Sequence, residues 1–425
     1  MPVRLIRRRA AAAMLAALAL AVSLAGCSVD QHVELDTPVQ VETALPEETV
    51  QQLQDAVAFA MAATGSSGAI VGVWAPWSGS WVDGIGTQRV GGGGSITPDM
   101  QFRAGKITRA MTCDVLYGVA AKGTVSLSDS ISTYVSGVPE ASRVTLGQLC
   151  DGSSGIGSYA PQLFPLWLTN PARRWDPREL ASYGLGQERT TDPGAAYVES
   201  DAGYVLLGLA LERATRQSAA SLIQQYVVDP LDLTGTYLPS GSAKPDSSTW
   251  LSGHHSLPIE GGMNCADPLD ITELSPSVGF TDAGVVSTIE DLGRYGRALA
   301  TGALLTQDVD RFNNPLAAYP GAPAWNTAAG GAILAGSLVG QYGMIPGYLT
   351  AVFSDPGTGL TVAVVLNNSA VGGADAASLA WELAAIASKA SPAAGETLPE
   401  AGLPWTAQQY HDAIAASAIC PLPTE

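Results

Sequence analysis

The chain has little with which to do several common kinds of chemistry. Of its 425 residues only four are histidines (His32, His254, His255 and His411) and five are cysteines. His254 and His255 are neighbours whose side chains diverge, and no spacing of Cys, His, Asp or Glu reads as a metal constellation, so neither a metal nor another cofactor is expected. Basic residues are scarce too, with 21 Lys and Arg against 39 Asp and Glu and a net charge of −18. That balance excludes nucleic acid, or anionic lipid, as a partner held by general electrostatics. No Gly-x-Ser-x-Gly elbow occurs, which removes one large class of hydrolases. The apolar run at residues 10–22 is too short to span a bilayer comfortably.

What is present begins with an export signal. Arg4, Arg7, Arg8 and Arg9 precede that apolar run, which ends in Leu24-Ala25-Gly26-Cys27. This pattern resembles a bacterial lipobox, with residues 1–26 as the signal peptide and Cys27 as the lipidated residue. The alternative is an ordinary secretory signal that ends beside a cysteine. Loss of residues 1–26 takes away four arginines and no acids, leaving a net charge of −22. On the lipobox reading the protein sits on the outer face of the plasma membrane, anchored through Cys27 without a spanning helix.

Residues 27–46 are polar, contain Pro38 and Pro46, and read as a tether. Apolar residues at helical spacing (Val50, Leu53, Val57, Phe59, Ala60) predict a helix over 47–63. Alternation around Ser78-Gly79-Ser80 predicts a hairpin over 69–90, and Gly91 to Gly94 a flexible break. The pattern from 106 to 230 is mainly helical. Strands return at 332–339, 348–354 and 360–366, the last two joined by a turn at 355–359, and a helix follows over 374–389. Strands at both ends around a helical block imply one sheet built from both termini, an α+β arrangement. The tail from 391 onward is proline-rich and reads as an extension that folds back.

The stretch Phe102-Arg103-Ala104-Gly105-Lys106-Ile107-Thr108-Arg109 resembles the nucleophile segment of the serine β-lactamase and penicillin-binding protein superfamily, and of its class C β-lactamase-like branch in particular. That family carries F-R-x-G-S-x-T-K. Further segments follow in the family's order: Gly123 to Asp129, Pro193-Gly194 to Gly208, Ala283-Gly284-Val285-Val286-Ser287-Thr288 to Asp291, and Gly343 to Gly347. The resemblance covers about 48–389. It implies an antiparallel sheet of N- and C-terminal segments flanked by helices, in a domain over 47–390. A helical subdomain at about 106–325 and an extension over 391–425 complete the division.

Each catalytic place departs from that pattern. Lys106 stands for the acylated serine, Arg109 for its lysine, Glu199 for the tyrosine of the second motif (now Glu199-Ser200-Asp201), and Gln341 for the first residue of His/Lys-x-Gly (now Gln341-Tyr342-Gly343). Acylation needs a hydroxyl or thiol beside a base, and an arginine cannot serve as that base. Thr108 and Ser200 do not sit where the family presents a substrate carbonyl. Glu199 is expected to bridge Lys106 and Arg109, with Asp201 beside it; the alternative is that these charges diverge to solvent. The strand from Tyr342 to Gly347 could offer its edge to a peptide. Residues 161–175 form either a cleft-side loop or a packed connection.

Several class A β-lactamases have a disulfide at the places matching Cys113 and Cys150. The resemblance therefore pairs these two and leaves Cys265 with Cys420; four free buried thiols are the alternative. The resulting expectation is a surface lipoprotein with a β-lactamase-like fold, catalytically inactive, that binds an unidentified envelope ligand or protein partner. The rival expectation is an active esterase or D-amino-acid peptidase with a non-standard nucleophile.

Overall fold

The computed structural model describes residues 33–138, 141, 143–189, 191–240, 249–306, 309–400 and 402–422. The expected signal peptide, Cys27 and the start of the tether lie outside these. Twelve α-helices are described: α1 (Glu47–Thr64), α2 (Ile107–Ala121), α3 (Leu146–Cys150), α4 (Ala160–Thr169), α5 (Pro177–Leu185), α6 (Asp201–Thr215), α7 (Ala219–Ile223), α8 (Asp229–Leu231), α9 (Phe280–Ala283), α10 (Ile289–Thr301), α11 (Gly373–Ala387) and α12 (Ala407–Ser417).

A nine-stranded sheet organises the molecule. Its strands are β1 (Gly68–Ala75), β2 (Gly79–Arg89), β3 (Gly92–Ser95), then β10 (Leu316–Ala317), β11 (Asn326–Ala329), β12 (Ala332–Ala335), β13 (Leu338–Ile345), β14 (Tyr348–Ser354) and β15 (Thr361–Leu366). The order β10-β11-β12-β13-β14-β15-β1-β2-β3 is antiparallel throughout, and β15 meets β1 with Ala69 opposite Leu366 and Trp74 opposite Thr361. Chain ends far apart in sequence thus share the centre of one sheet. Three two-stranded pairs lie outside it: β4 (Phe102–Arg103) with β9 (Val286–Ser287), β5 (His254–His255) with β8 (Leu269–Asp270), and β6 (Pro258–Ile259) with β7 (Gly262–Met263).

The two-residue period of a strand places two cores on opposite faces. In β1, Ile70 and Trp74 join a core with Leu292 and Tyr295 of α10 and with α2. Ala69, Val71, Val73 and Ala75 join a second core with α1 and α11. β14 and β15 are buried along their whole length, as strands covered on both faces must be. The apolar stripe Leu53, Ala56, Val57, Ala60 holds α1 to the sheet, and Gly65 ends that helix at φ 69°.

Several local expectations change. The glycine break is instead β3, paired back to β2 through Thr87 opposite Ser95 and Arg89 opposite Gly92; polar, glycine-rich edge strands carry little periodicity to read. The expected strand 332–339 is a hairpin, because Gly336 turns at φ 58° between β12 and β13. Residues 33–46 do not hang free as a tether. Backbone bonds from Val33 to Pro230, Val41 to Pro76 and Leu45 to Ser80 strap them along the domain, and Leu45 is buried. Residues 161–175 are the packed alternative rather than a loop: most of them form α4, and Leu163, Trp167 and Trp175 are buried. The expected helical subdomain is interrupted, since the segment between α8 and α9 carries β5 to β8 before α9 and α10 resume. The C-terminal tail contains a further helix, α12, started by a capping box between Thr406 and Gln409.

Candidate functional site

The site is built where α2 begins. Gly105 takes φ 56°, which bends the chain out of β4 and into the helix. Ala104 is pinned from two sides, its N–H donating to Val285 O (2.8 Å) and its carbonyl accepting from Thr350 Oγ1 (2.7 Å). Thr108 locks the first turn by donating to Gly105 O (2.7 Å) and accepting from Val285 N–H (3.1 Å). Lys106 and Arg109 then project from the first helical turn, where the macrodipole disfavours cations.

Three carboxylates offset that cost. Glu199 bridges the two cations: Lys106 Nζ donates to its Oε1, and Arg109 Nη1 to its Oε2 at 3.0 Å. Asp201, the first residue of α6, accepts from Arg109 Nη2 at 2.9 Å and lies 3.7 Å from Lys106 Nζ. Asp282, from α9, accepts from Arg109 Nε at 2.7 Å. The guanidinium is only 1% exposed and also packs over the Tyr204 ring at 4.8 Å. All three of its nitrogens are committed to carboxylates, the geometry a planar fork can satisfy. Ser158 and Ser200 fix the acidic segment, through Ser158 Oγ to Glu199 O (3.0 Å) and Gly203 N–H to Ser200 Oγ (3.0 Å).

The electrostatics follow from burial against pairing. Burial pulls the Lys106 ammonium down, but Glu199, Asp201 and Asp282 reverse this and leave it above its ordinary value. Arg109 is held well above its ordinary value in the same way, Asp282 contributing most after burial. Burial pushes Glu199 up, and Arg109 and Lys106 more than reverse it, holding the carboxyl below the usual carboxylate range. Asp282 behaves differently: burial dominates, Asp201 adds to it, and its carboxyl is pushed up to about 7 despite Arg109. Near neutral pH Lys106, Arg109 and Glu199 are therefore charged, and Asp282 is only partly ionised.

The third-motif positions lie against this cluster. A side chain on Gly343 would meet Lys106 Cβ at 2.6 Å and its Cγ and Cδ at 2.7 Å, so the glycine is what lets the lysine lie across β13. Gln341 is buried and does not reach the charges. Its Nε2 donates to Gly331 O (2.8 Å) and its Oε1 accepts from Tyr342 N–H (2.8 Å). β12 pairs only with the first residues of β13, up to Gly340. The edge expected to receive a peptide is thus capped at Tyr342 by the preceding side chain.

Both cysteine pairs are bonded, Cys113 with Cys150 (Cα–Cα 5.5 Å) and Cys265 with Cys420 (6.0 Å). The first ties α2 to α3 behind the cluster. Beside it Arg311 pairs with Asp114 of α2 and donates to Ala110 O (2.8 Å) and Gly330 O (2.7 Å), while Tyr295 donates to Asp114 (2.7 Å). His254 and His255 have Asn367 and Ser369 as their respective side-chain partners. Among the described residues no group of three or more His, Cys, Asp or Glu is placed to hold a metal ion. Sequence reasoning missed Asp282 and the Asp114–Arg311–Tyr295 network, because no motif pattern marks either.

Fold and site together define a serine β-lactamase and penicillin-binding-protein-like scaffold with altered motif residues. The chain belongs to the Beta-lactamase family, whose model matches residues 30–387. Among curated proteins it is similar to Protein flp of Staphylococcus aureus. Identity is 26% over 166 residues in strain MRSA252, covering 38% of this chain and 32% of that protein. In strain N315 it is 27% over 158 residues, 36% and 31% of the two chains. The chain thus spans about a third of the length of these relatives. Among solved structures it is similar to a D-stereospecific amidohydrolase from Streptomyces sp. (TM-score 0.65, 24% identity, 75% of this chain and 93% of that one). It is also similar to the D-amino acid amidase of Ochrobactrum anthropi SV3 complexed with L-phenylalanine amide (0.65, 20%, 76% and 92%). A third is the octameric penicillin-binding protein homologue of Pyrococcus abyssi (0.65, 22%, 78% and 75%). At these identities the structural likeness carries the fold alone.

Proposed function

We propose that this protein is a surface-anchored lipoprotein of the Beta-lactamase family that does not form an acyl-enzyme and instead binds a ligand or protein partner in the cell envelope. One observation carries the reading: the nucleophile position holds a lysine whose ammonium is paired to Glu199, next to an arginine saturated by three carboxylates. A serine-type mechanism needs a hydroxyl and a base within reach of it. A lysine nucleophile needs a lowered ammonium pKa, and here the neighbours raise it. The lipid anchor rests on Leu24-Ala25-Gly26-Cys27.

Purified protein is incubated with a fluorescent penicillin and, separately, a fluorophosphonate. No covalent labelling is expected with either. Labelling that disappears in Lys106→Ala overturns the proposal and makes the protein an acyl-transfer enzyme with a lysine nucleophile.

A further inference from the structure

The charge cluster sits at the start of α6, and the far end of the same helix lines a cavity of about 510 Å³. Its walls are the chain from Ser132 to Ser136, Arg178 of α5, and Leu209, Glu212 and Arg213 of α6. Arg213 follows Asp201 by twelve positions, about 18 Å of helix, so this cavity is separate from the cleft.

The backbone around it is fixed from behind. Val135 is buried and its N–H donates to Ile131 O (3.0 Å), while Ile131 N–H donates to Val144 O (3.0 Å). Asp176 caps α5 by accepting from Arg178 N–H (2.8 Å). Gly184 lets α5 lie close on α6, where any side chain would run into Ala202.

The polar side chains on the walls divide by what they have left to offer. Glu212 accepts from Ala219 N–H at the start of α7 (2.8 Å), Tyr134 donates to Asp129 (2.6 Å), and Ser132 Oγ bonds Ser130 Oγ (2.8 Å). The side chains of Thr133, Ser136, Arg178 and Arg213 have no partner among the described residues. Glu179, the acid next to Arg178 in sequence, is taken by Arg173. In a chain of 39 acids and 21 bases, two guanidiniums on one cavity are thus left without a carboxylate.

That surplus of donors restricts the occupant. A cation would be repelled, and a neutral molecule would leave both guanidiniums unanswered. A carboxylate offers two oxygens to donors from four side chains. A phosphate offers three or more, and its edges match the planar fork of an arginine. The volume lies within the range of small-molecule sites, about 300–1,000 Å³, which leaves room for a group esterified to the phosphate. We propose that this cavity binds a phosphate group, free or carried by a small ester, through Arg178, Arg213, Thr133 and Ser136. The site goes beyond the reading of the charge cluster and does not depend on it.

The test is calorimetric titration of the purified protein with inorganic phosphate, glycerol 3-phosphate and acetate at constant ionic strength. Saturable binding of at least one phosphate probe is expected, weakened about tenfold by Arg178→Gln and as much by Arg213→Gln. Both arginines are exposed, so neither change should move the thermal midpoint appreciably. Lys389→Gln removes the same charge from an exposed position outside the cavity and should leave binding unchanged. Tighter binding of glycerol 3-phosphate than of phosphate assigns the site to an ester, and no gain from the glycerol assigns it to the free ion. The proposal fails if neither phosphate probe saturates, if either arginine can be replaced without loss, or if acetate binds as well. An equal loss with Lys389→Gln also overturns it, since only general charge would then be at work. Penicillin labelling decides the preceding reading independently of these titrations.

Discussion

Arg109 decides what the old nucleophile segment can be. A guanidinium buried this deeply is tolerated only if each face of it is answered by charge or hydrogen bond, since an unpaired buried ion costs several kcal/mol. Three carboxylates converge on it, one more than the two cations of the cluster require. The surplus falls on Asp282, faced by Arg109, Lys106, Asp201 and Tyr159 and pushed up to about 7. An unfolded aspartate titrates near 3.9. Between about pH 4 and pH 7 the folded chain therefore holds a proton that the unfolded chain has released, and stability must fall as pH rises through that window. Below it the contribution is fully present. Asp282→Asn removes the titration and keeps the side-chain shape, so the stability of wild type relative to this variant should decline from pH 4 to 7 and level off beyond. Urea midpoints measured across that range at fixed ionic strength give the difference directly. A difference that is flat, or that grows with pH, contradicts the assignment.

At the scale of elements, the departures from the family pattern are spread over α2, the segment leading into α6, and β13. Replacing Lys106 alone would leave Arg109 paired and Gln341 capping the strand. The sequence made the Lys106–Glu199–Arg109 bridge legible because ordered motifs placed those residues in one cleft, and opposite charges at such places find each other. Asp282 was illegible because it lies one residue before a recognised segment and nothing in its neighbourhood departs from an ordinary helix start. Gln341 was half legible: its substitution is plain in Gln341-Tyr342-Gly343, but which way an amide folds depends on a carbonyl ten residues away, Gly331 O. Gly343 makes the coupling between α2 and β13 measurable. Gly343→Ala forces its new methyl into the stem of Lys106, at contacts of 2.6–2.7 Å where the chain cannot simply swing its far end aside. Overpacking of this kind costs about 1–3 kcal/mol. Lys106→Gly removes all three contacts, including the Cβ at 2.6 Å that an alanine would keep, so the double variant should be more stable than the sum of the single effects allows, by about 1 kcal/mol or more. Strict additivity in a urea-unfolding cycle would mean that Lys106 does not lie on β13.

The whole molecule is closed by connections between distant parts of the chain. β1 and β15 join its two ends within one sheet, residues 33–46 strap the N-terminal side down, and Cys265–Cys420 spans 155 positions to hold the extension. Sheet closure was legible from strand signals at both ends. The strap and α12 were not: the first has no periodicity because it lies along a surface rather than in a core, and the second is polar on most of its circumference with only Ile414 buried. α12 is therefore a helix whose own apolar face cannot hold it, and short helices of that kind are marginal without tertiary support. Its support is Trp405 against Trp381 and Trp325, and the bond at Cys420 just beyond it. Serine at both Cys265 and Cys420 should cost about 2–5 kcal/mol if the extension and the sheet unfold together. If they unfold separately, the loss appears locally. Lys389 is exposed and stands immediately before the extension, so trypsin should then cut after it faster in the double serine variant, and tryptophan emission should shift to the red as the cluster meets water. A transition still single and cooperative by both fluorescence and circular dichroism, with unchanged cleavage at Lys389, would make the extension an integral part of the core. A split transition would make it a separately stable flap, its packing of Trp405 and Tyr410 on Trp381 present only while Cys265 and Cys420 are oxidised.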